Sequence, residues 1–209
     1  MVILVGATGK LTFVDRLRRL GWGRMWTPIR RPNPFDGELW GFDNGAYGAW
    51  ISGVAWDGNR YQEMIDRHAE WSLPYMAVLP DVVADAQASL RRSIRWLYKM
   101  PSGWPLYVAV QDGMVPHDLR GISEHVTGVF LGGTDRLKLD AGYWCTWAHN
   151  NGLLFHYARA GTIAKVQHAQ RIGADSLDSC FPLWTERRFN TFIAAVTGQL
   201  PQMELALTY

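Results

Sequence analysis

Two apolar runs, Tyr75-Met76-Ala77-Val78-Leu79-Pro80-Asp81 and Leu106-Tyr107-Val108-Ala109-Val110-Gln111-Asp112-Gly113, separated by a helical pattern over 84–99, decide how this chain is read. Each run is short, rich in strand formers and closed by polar residues. A strand, a helix and a second strand in that order imply parallel pairing, because a parallel connection needs a crossover of helix length. Within the helical stretch, Ala88, Ile94 and Leu97 are placed on a buried face and Arg91, Arg92, Arg95 and Lys99 on a solvated one. Lys99-Met100-Pro101 ends it, since proline cannot continue a helix.

The same unit recurs in both directions. Strand-like runs fall at 2–5, 24–28, 39–43, 75–80, 106–111, 128–132, 153–158 and 176–180, and helical patterns at 12–20, 60–71, 84–99, 116–125, 135–149, 162–172 and 184–196. Eight such strands predict an α/β fold, a modified and compact TIM-like (β/α)8 barrel, as one domain over 1–209. One crossover departs from the pattern: Pro32 and Pro34 forbid a helix between the second and third strands, so a loop or a hairpin joins them. A doubly wound open sheet is the alternative. Its glycine-rich phosphate turn is missing, because Val5-Gly6-Ala7-Thr8-Gly9-Lys10 lacks the phosphate-loop spacing and reads as a turn.

Composition narrows the function. A chain of 209 residues with 48% hydrophobic residues buries one core, and a net charge of +2 leaves any polyanion to be met by a local patch, not by a basic tail. Two cysteines, Cys145 and Cys180, make neither a disulfide scaffold nor a four-thiolate zinc site, and the six histidines are not paired at metal-ligand spacing. No metal and no cofactor are expected, and the compartment reads as a reducing cytoplasm. No apolar run is long enough for a bilayer and the start lacks the basic lead of a signal peptide, so no membrane partner is expected. The 11 tryptophans exceed what one core of this size needs, which directs some of them to a ligand-receiving surface. Trp22, Trp26, Trp40, Trp50 and Trp56 cluster around the third strand, and about half of them should be core.

In a parallel barrel the reactive face is formed by the loops after the strands' carboxyl ends. Asp43, Asp81, Gln111, Asp112, Gly132, Gly133, His156, Arg159 and Asp178 all fall there. Three carboxylates at one mouth suit chemistry at a sugar carbon: a nucleophile, a proton shuttle and a reader of a base edge. Each has a structural competitor. Asp81 and Asp85 can cap the following helix, Asp175 reads as a turn residue, and His156 as a satisfied core histidine. Asp178 lies inside an apolar run, where a carboxylate without a task is costly.

The motifs Asp43-Asn44-Gly45-Ala46-Tyr47, Pro80-Asp81-Val82-Val83, Val110-Gln111-Asp112-Gly113, Leu131-Gly132-Gly133-Thr134, Gly161-Thr162 and Gly173-Ala174-Asp175-Ser176-Leu177-Asp178-Ser179-Cys180-Phe181-Pro182 together resemble, in order, the tRNA-guanine transglycosylase family. The resemblance implies exchange of guanine in nucleic acid for a free 7-deazaguanine base through a covalent aspartyl-glycosyl intermediate. It makes Asp178 the nucleophile, Asp43 the general acid/base, Asp81, Gln111, Gly132 and Gly133 the readers of the base, and Tyr47 the aromatic that stacks on it. The opposing methionine of the family is matched by Ala158. The family's zinc-binding cysteines have no counterpart after Pro182. The Asp-Asn-Gly-Ala and Pro-Asp-Val-Val patterns are most similar to compact, zinc-less phage and bacterial relatives that act on DNA, which implies a host-cytoplasm location for a phage-encoded chain. DNA is therefore expected as the polymer, with tRNA as the alternative. A flipped nucleotide needs phosphate contacts, for which Arg30, Arg31, Arg187 and Arg188 are the candidates, ahead of Arg91, Arg92 and Arg95. Two other readings stay open: a catalytically idle purine- or nucleic-acid-binding barrel within a modification complex, and an unrelated small-molecule glycosidase or lyase on the same barrel.

Overall fold

The computed structural model describes residues 1–29, 34–35, 37–70 and 72–200. Arg30 and Arg31 lie outside the described residues. Eight strands form the barrel: β1 (Val2–Gly6), β2 (Gly23–Trp26), β3 (Trp40–Phe42), β4 (Met76–Val78), β5 (Leu106–Val110), β6 (Gly128–Leu131), β7 (Leu154–Tyr157) and β8 (Ser176–Ser179). All pair in parallel and in chain order, and β8 closes on β1 with Leu4 opposite Asp178. Closure excludes the open sheet. The parallel register of β2 with β3, Arg24 opposite Trp40, excludes a hairpin between them.

Among the described residues seven helices accompany the strands: α1 (Leu11–Leu20), α2 (Ala46–Ile51), α3 (Gly58–His68), α4 (Ala86–Leu97), α5 (Ala141–Asn150), α6 (Ile163–Arg171) and α7 (Glu186–Val196). Their starts follow side-chain chemistry. Asp57, Asp85, Thr162 and Thr185 each accept a backbone N–H from the first turn of the helix that follows. Asp85, not Asp81, is thus the cap of α4.

Three expectations need correction. The stretch 116–125 forms two 3₁₀ turns, Pro116–Leu119 and Ser123–His125, broken around Gly121. The short α2 is a helix that the glycines at 45 and 48 hide from a reading by propensity. On α4 the inward face is Ser89, Ser93 and Trp96, while Ile94 is exposed. Ser89 Oγ donates to Val82 O at 2.7 Å and Ser93 Oγ to Pro80 O at 3.0 Å. The helix thereby fastens the loop after β4 through hydroxyls, and apolar spacing misses such a face.

Alternation along the strands splits the interior in two. Outward-facing Ile3, Val5, Trp40, Phe42, Ala77, Val108, Val129, Phe155 and Leu177 join the helices in the larger core. Inward-facing Leu4, Met25, Met76, Val78, Tyr107, Ala109, Phe130 and Ala158 fill the barrel itself. A period of two carried past the strand ends puts Asp43, Gln111, Gly132 and Asp178 on the inward side at the top. The site is built on that parity.

Candidate active site

The loop after β3 is fixed before any ligand arrives. Asp43 Oδ1 accepts the Gly45 N–H at 3.0 Å, Asn44 Oδ1 accepts the Ala46 N–H at 2.7 Å, and the Trp56 indole N–H reaches Asn44 O at 2.8 Å. Gly45 stands at φ 76°, a backbone region that favours glycine. Asn44 then crosses to β4, donating to Leu79 O at 3.0 Å and to Asp81 Oδ1 at 2.8 Å.

Asp81 is buried, and its second oxygen accepts the Gln111 side-chain amide. Gln111 Oε1 in turn accepts the backbone N–H groups of Ala84 at 3.0 Å and Gly133 at 3.1 Å. Asn44, Asp81, Gln111 and Gly133 therefore form one polar chain across four strand ends. A Cβ at Gly132 would stand 2.5 Å from Gln111 Nε2, so a larger residue there would push the Gln111 amide off Asp81. Asp112 is occupied in holding Thr134, whose N–H it accepts at 2.8 Å.

Across the mouth, Asp178 Oδ1 accepts from His156 Nε2 at 3.0 Å and from the Arg159 N–H at 2.9 Å. His156 is fully buried, stacked on Phe130 with centroids 4.9 Å apart, and its Nδ1 lies 2.8 Å from Ser176 Oγ. Burial holds His156 below its ordinary pKa, against the pull of Asp178. The neutral ring then carries its proton on Nε2, facing the carboxylate, and accepts the Ser176 hydroxyl on Nδ1. Lys138, also buried, donates to the carbonyls of Leu131 and Ala158, tying the ends of β6 and β7.

These surroundings drive the two carboxylates apart. Asp43 is pushed up to about 7, first by burial and then by the charges of Asp178 and Asp81, against the Gly45 N–H and Arg159. Burial also acts to raise Asp178, but His156, the Arg159 N–H and Lys138 outweigh it and hold the group below the ordinary carboxylate range. Asp43 and Asp178 line one cleft of about 470 Å³ with Thr8, Thr27, Cys180 and Trp184. A smaller slot beside it is lined by Asp43, Tyr47, Asp81, Gln111, Gly132, Gly133 and Arg159.

Asp43, Tyr47, Asp81, Gln111, Gly132, Gly133 and Asp178 thus converge. Ala158 does not line the slot: it is fully buried in the barrel interior, and Arg159 holds the adjacent place. Arg188 sits over Trp184 at 4.2 Å, beside the cleft, while Arg187 is exposed on the first turn of α7. Arg92 folds inward to donate to Asp81 O at 2.7 Å, away from the solvent-facing position expected for it. Asp175 accepts the Phe155 N–H at 2.7 Å and meets His149 at 2.9 Å, which is structural work at the start of β7. Of the five clustered tryptophans, Trp26 and Trp40 are core, Trp22 and Trp56 pack against it, and Trp50 is exposed beside Tyr47.

Asn44 and Lys138 are side chains of the site to which motif reasoning gave no role, and His156, placed at the mouth but read as a core histidine, bonds Asp178. The signal for His156 was its place on the inward parity of β7, directly opposite Ser176 in the ladder. Among the described residues, no group of three or more His, Cys, Asp or Glu could hold a metal ion, and no helix is long and apolar enough to cross a membrane. No protein-family model matches the chain and no curated protein matches it.

Proposed function

We propose that this barrel is a DNA-guanine transglycosylase, a pentosyltransferase that exchanges guanine in DNA for a free 7-deazaguanine base. The observation that carries the reading is the pair of carboxylates on one cleft with opposite pKa shifts, Asp178 lowered and Asp43 raised to about 7. One is suited to attack as an anion and the other to hold a proton near neutrality. The adjoining slot, with an aromatic face from Tyr47 and polar edges from Asp81 and Gln111, suits a flat heterocycle.

In the first half-reaction the Asp178 carboxylate attacks C1′ of a flipped deoxyguanosine. Both of its hydrogen bonds fall on Oδ1, so Oδ2 is the oxygen that forms the new bond. The C1′–N9 bond breaks, its electron pair stays on N9, and the Asp43 carboxyl supplies the proton with which guanine leaves. In the second half the Asp43 carboxylate takes the N9 proton of the incoming 7-deazaguanine. That nitrogen attacks C1′ and the Asp178 carboxylate is expelled. Two inversions retain configuration. Asp81 and Gln111 orient each base in turn, and no metal or cofactor takes part.

DNA is chosen over tRNA because Asp43-Asn44-Gly45-Ala46 and Pro80-Asp81-Val82-Val83 resemble the compact relatives that act on DNA. The test incubates the protein with labelled guanine and either DNA or tRNA. Label is expected in DNA with the wild type and is lost in Asp178→Asn, which retains its fold and its affinity for DNA. Label in tRNA alone moves the substrate to tRNA. Label in neither polymer, with binding intact, makes the barrel an idle binding module.

A further inference from the structure

We infer that Arg159 is a resident occupant of the base slot, and that it makes the free enzyme accept a base carried on a polynucleotide before it accepts a free base. This rests on the base-exchange reading. Its guanidinium lies over the Tyr47 ring, 3.9 Å from the centroid, and Nη2 donates to the carbonyls of Gly132, at 3.3 Å, and Gly133. A planar group that stacks on the slot's aromatic ring and donates to its wall makes the contacts that a heterocycle would make there. The accessible volume left in the slot is about 30 Å³, against about 470 Å³ in the cleft beside it. A base cannot take this face of Tyr47 while the side chain stays on it.

The backbone gives independent support. Arg159 stands at φ 53°, one of two described non-glycine residues with positive φ. A long charged side chain is held in the left-handed region at a cost that an ordinary loop would avoid by using glycine. The conformation does two things at once: it aims the Arg159 N–H at Asp178 Oδ1, 2.9 Å away, and swings the side chain over Tyr47. The nucleophile and the slot's occupant are thus tied together by one hydrogen bond between the neighbouring ends of β7 and β8.

Where the guanidinium goes follows from that anchor. With its N–H fixed to Asp178, the displaced side chain remains within reach of the 470 Å³ cleft shared by Asp178 and Asp43. A nucleotide whose sugar reaches Asp178 brings a phosphate into that cleft, and the phosphate receives the guanidinium charge-assisted. A free base brings no phosphate and must break the Arg159 contacts without compensation. After guanine has left the covalent intermediate, the polynucleotide still holds Arg159 outside, and the free 7-deazaguanine finds the slot open. The residue therefore orders the two half-reactions and keeps free bases from inhibiting the empty enzyme.

The test is equilibrium binding of guanine and, separately, of guanidinium ion to the protein without nucleic acid. Wild type is compared with Arg159→Gly, which suits the positive φ, and Arg159→Asn, whose residue type tolerates it; thermal melts of both confirm folding. Both variants should bind guanine at least about tenfold tighter than wild type, the equivalent of one desolvated cation–π contact with its hydrogen bonds. Guanidinium ion should bind the variants, compete there with guanine, and be refused by wild type. Guanine bound equally by all three proteins overturns the role of Arg159 and leaves the base-exchange reading intact. Guanidinium accepted by the variants with guanine refused by all three overturns the base reading, and the ordering role with it. Neither ligand bound by folded variants shows that the slot is no ligand site and overturns the inference outright.

Discussion

At the residue scale the decisive fact is that two aspartates three strand positions apart on the barrel have been given opposite chemistry by their neighbours. Asp43 is raised to about 7, so the folded protein binds its proton more tightly than the unfolded chain does. Its contribution to stability is complete below the unfolded value near 4 and is lost as pH rises through about 7. Asp43→Asn should therefore raise the Tm at pH 8 by roughly 3 °C or more and leave it nearly unchanged at pH 4, which paired thermal melts will show. In the proposed exchange the first half-reaction needs Asp43 protonated, so kcat/KM for the nucleic acid should fall above about pH 7 and lose that limb in the variant. His156 sets the other limb. His156→Phe keeps the stack on Phe130 but removes the hydrogen bond to Asp178, so the carboxyl climbs and the acidic limb should move up by about one pH unit. An unmoved limb in a measured pH–rate profile would reduce His156 to a packing residue. Asp178 was legible in the sequence because a carboxylate inside an apolar run demands a reason. His156 was not, because a histidine in a strand looks the same whether it packs or positions.

At the element scale, the strands were legible and their mutual fastening was not. Apolar runs bounded by turns located all eight strands, since burial on both faces leaves a strong compositional mark. The helices that failed were those whose residues answer to tertiary demands: α2 with its glycines, the 3₁₀ turns around Gly121, and the serine face of α4. Lys138 shows the same limit. It lies in a short 3₁₀ turn before α5, Leu137–Asp140, and nothing in its neighbourhood marks it as buried. Yet its ammonium joins Leu131 O, at the end of β6, to Ala158 O, just past β7, tying together the two loops that carry Gly132, Gly133 and Arg159. Burial lowers its pKa well below the ordinary lysine value, the strain of placing a cation behind the site. Lys138→Met matches the length and leaves two buried carbonyls without donors. The expected loss is about 2–4 kcal/mol, a fall in Tm of roughly 5–15 °C. Denaturant titration checks it, and a variant as stable as wild type would show that the loops hold their spacing by packing alone.

At the scale of the whole molecule, the near-neutral charge and the tryptophan count point to the same small surface. With Lys+Arg 21 against Asp+Glu 19, the chain has no long-range field to gather a polyanion. Most of the described indoles went to the core or pack against it, which composition alone cannot apportion because a tryptophan serves either place. The exceptions that bear on the site are Trp50, 50% exposed beside Tyr47, and Trp184, 63% exposed at the cleft with Arg188 stacked on it. Under the proposed function a nucleic acid at the cleft would be gripped by stacking and a few cations, so its binding should depend only weakly on salt. The slope of log K against log salt concentration should be no steeper than about −3, corresponding to roughly three neutralised phosphates. Arg188→Ala should flatten it by about one unit, whereas Trp184→Ala should lower affinity by about 1–3 kcal/mol without changing the slope. Titrations at several salt concentrations separate the two effects. A wild-type slope of about −6 or steeper would require a basic face away from the mouth, and the grip assigned here to the cleft would then belong elsewhere on the barrel.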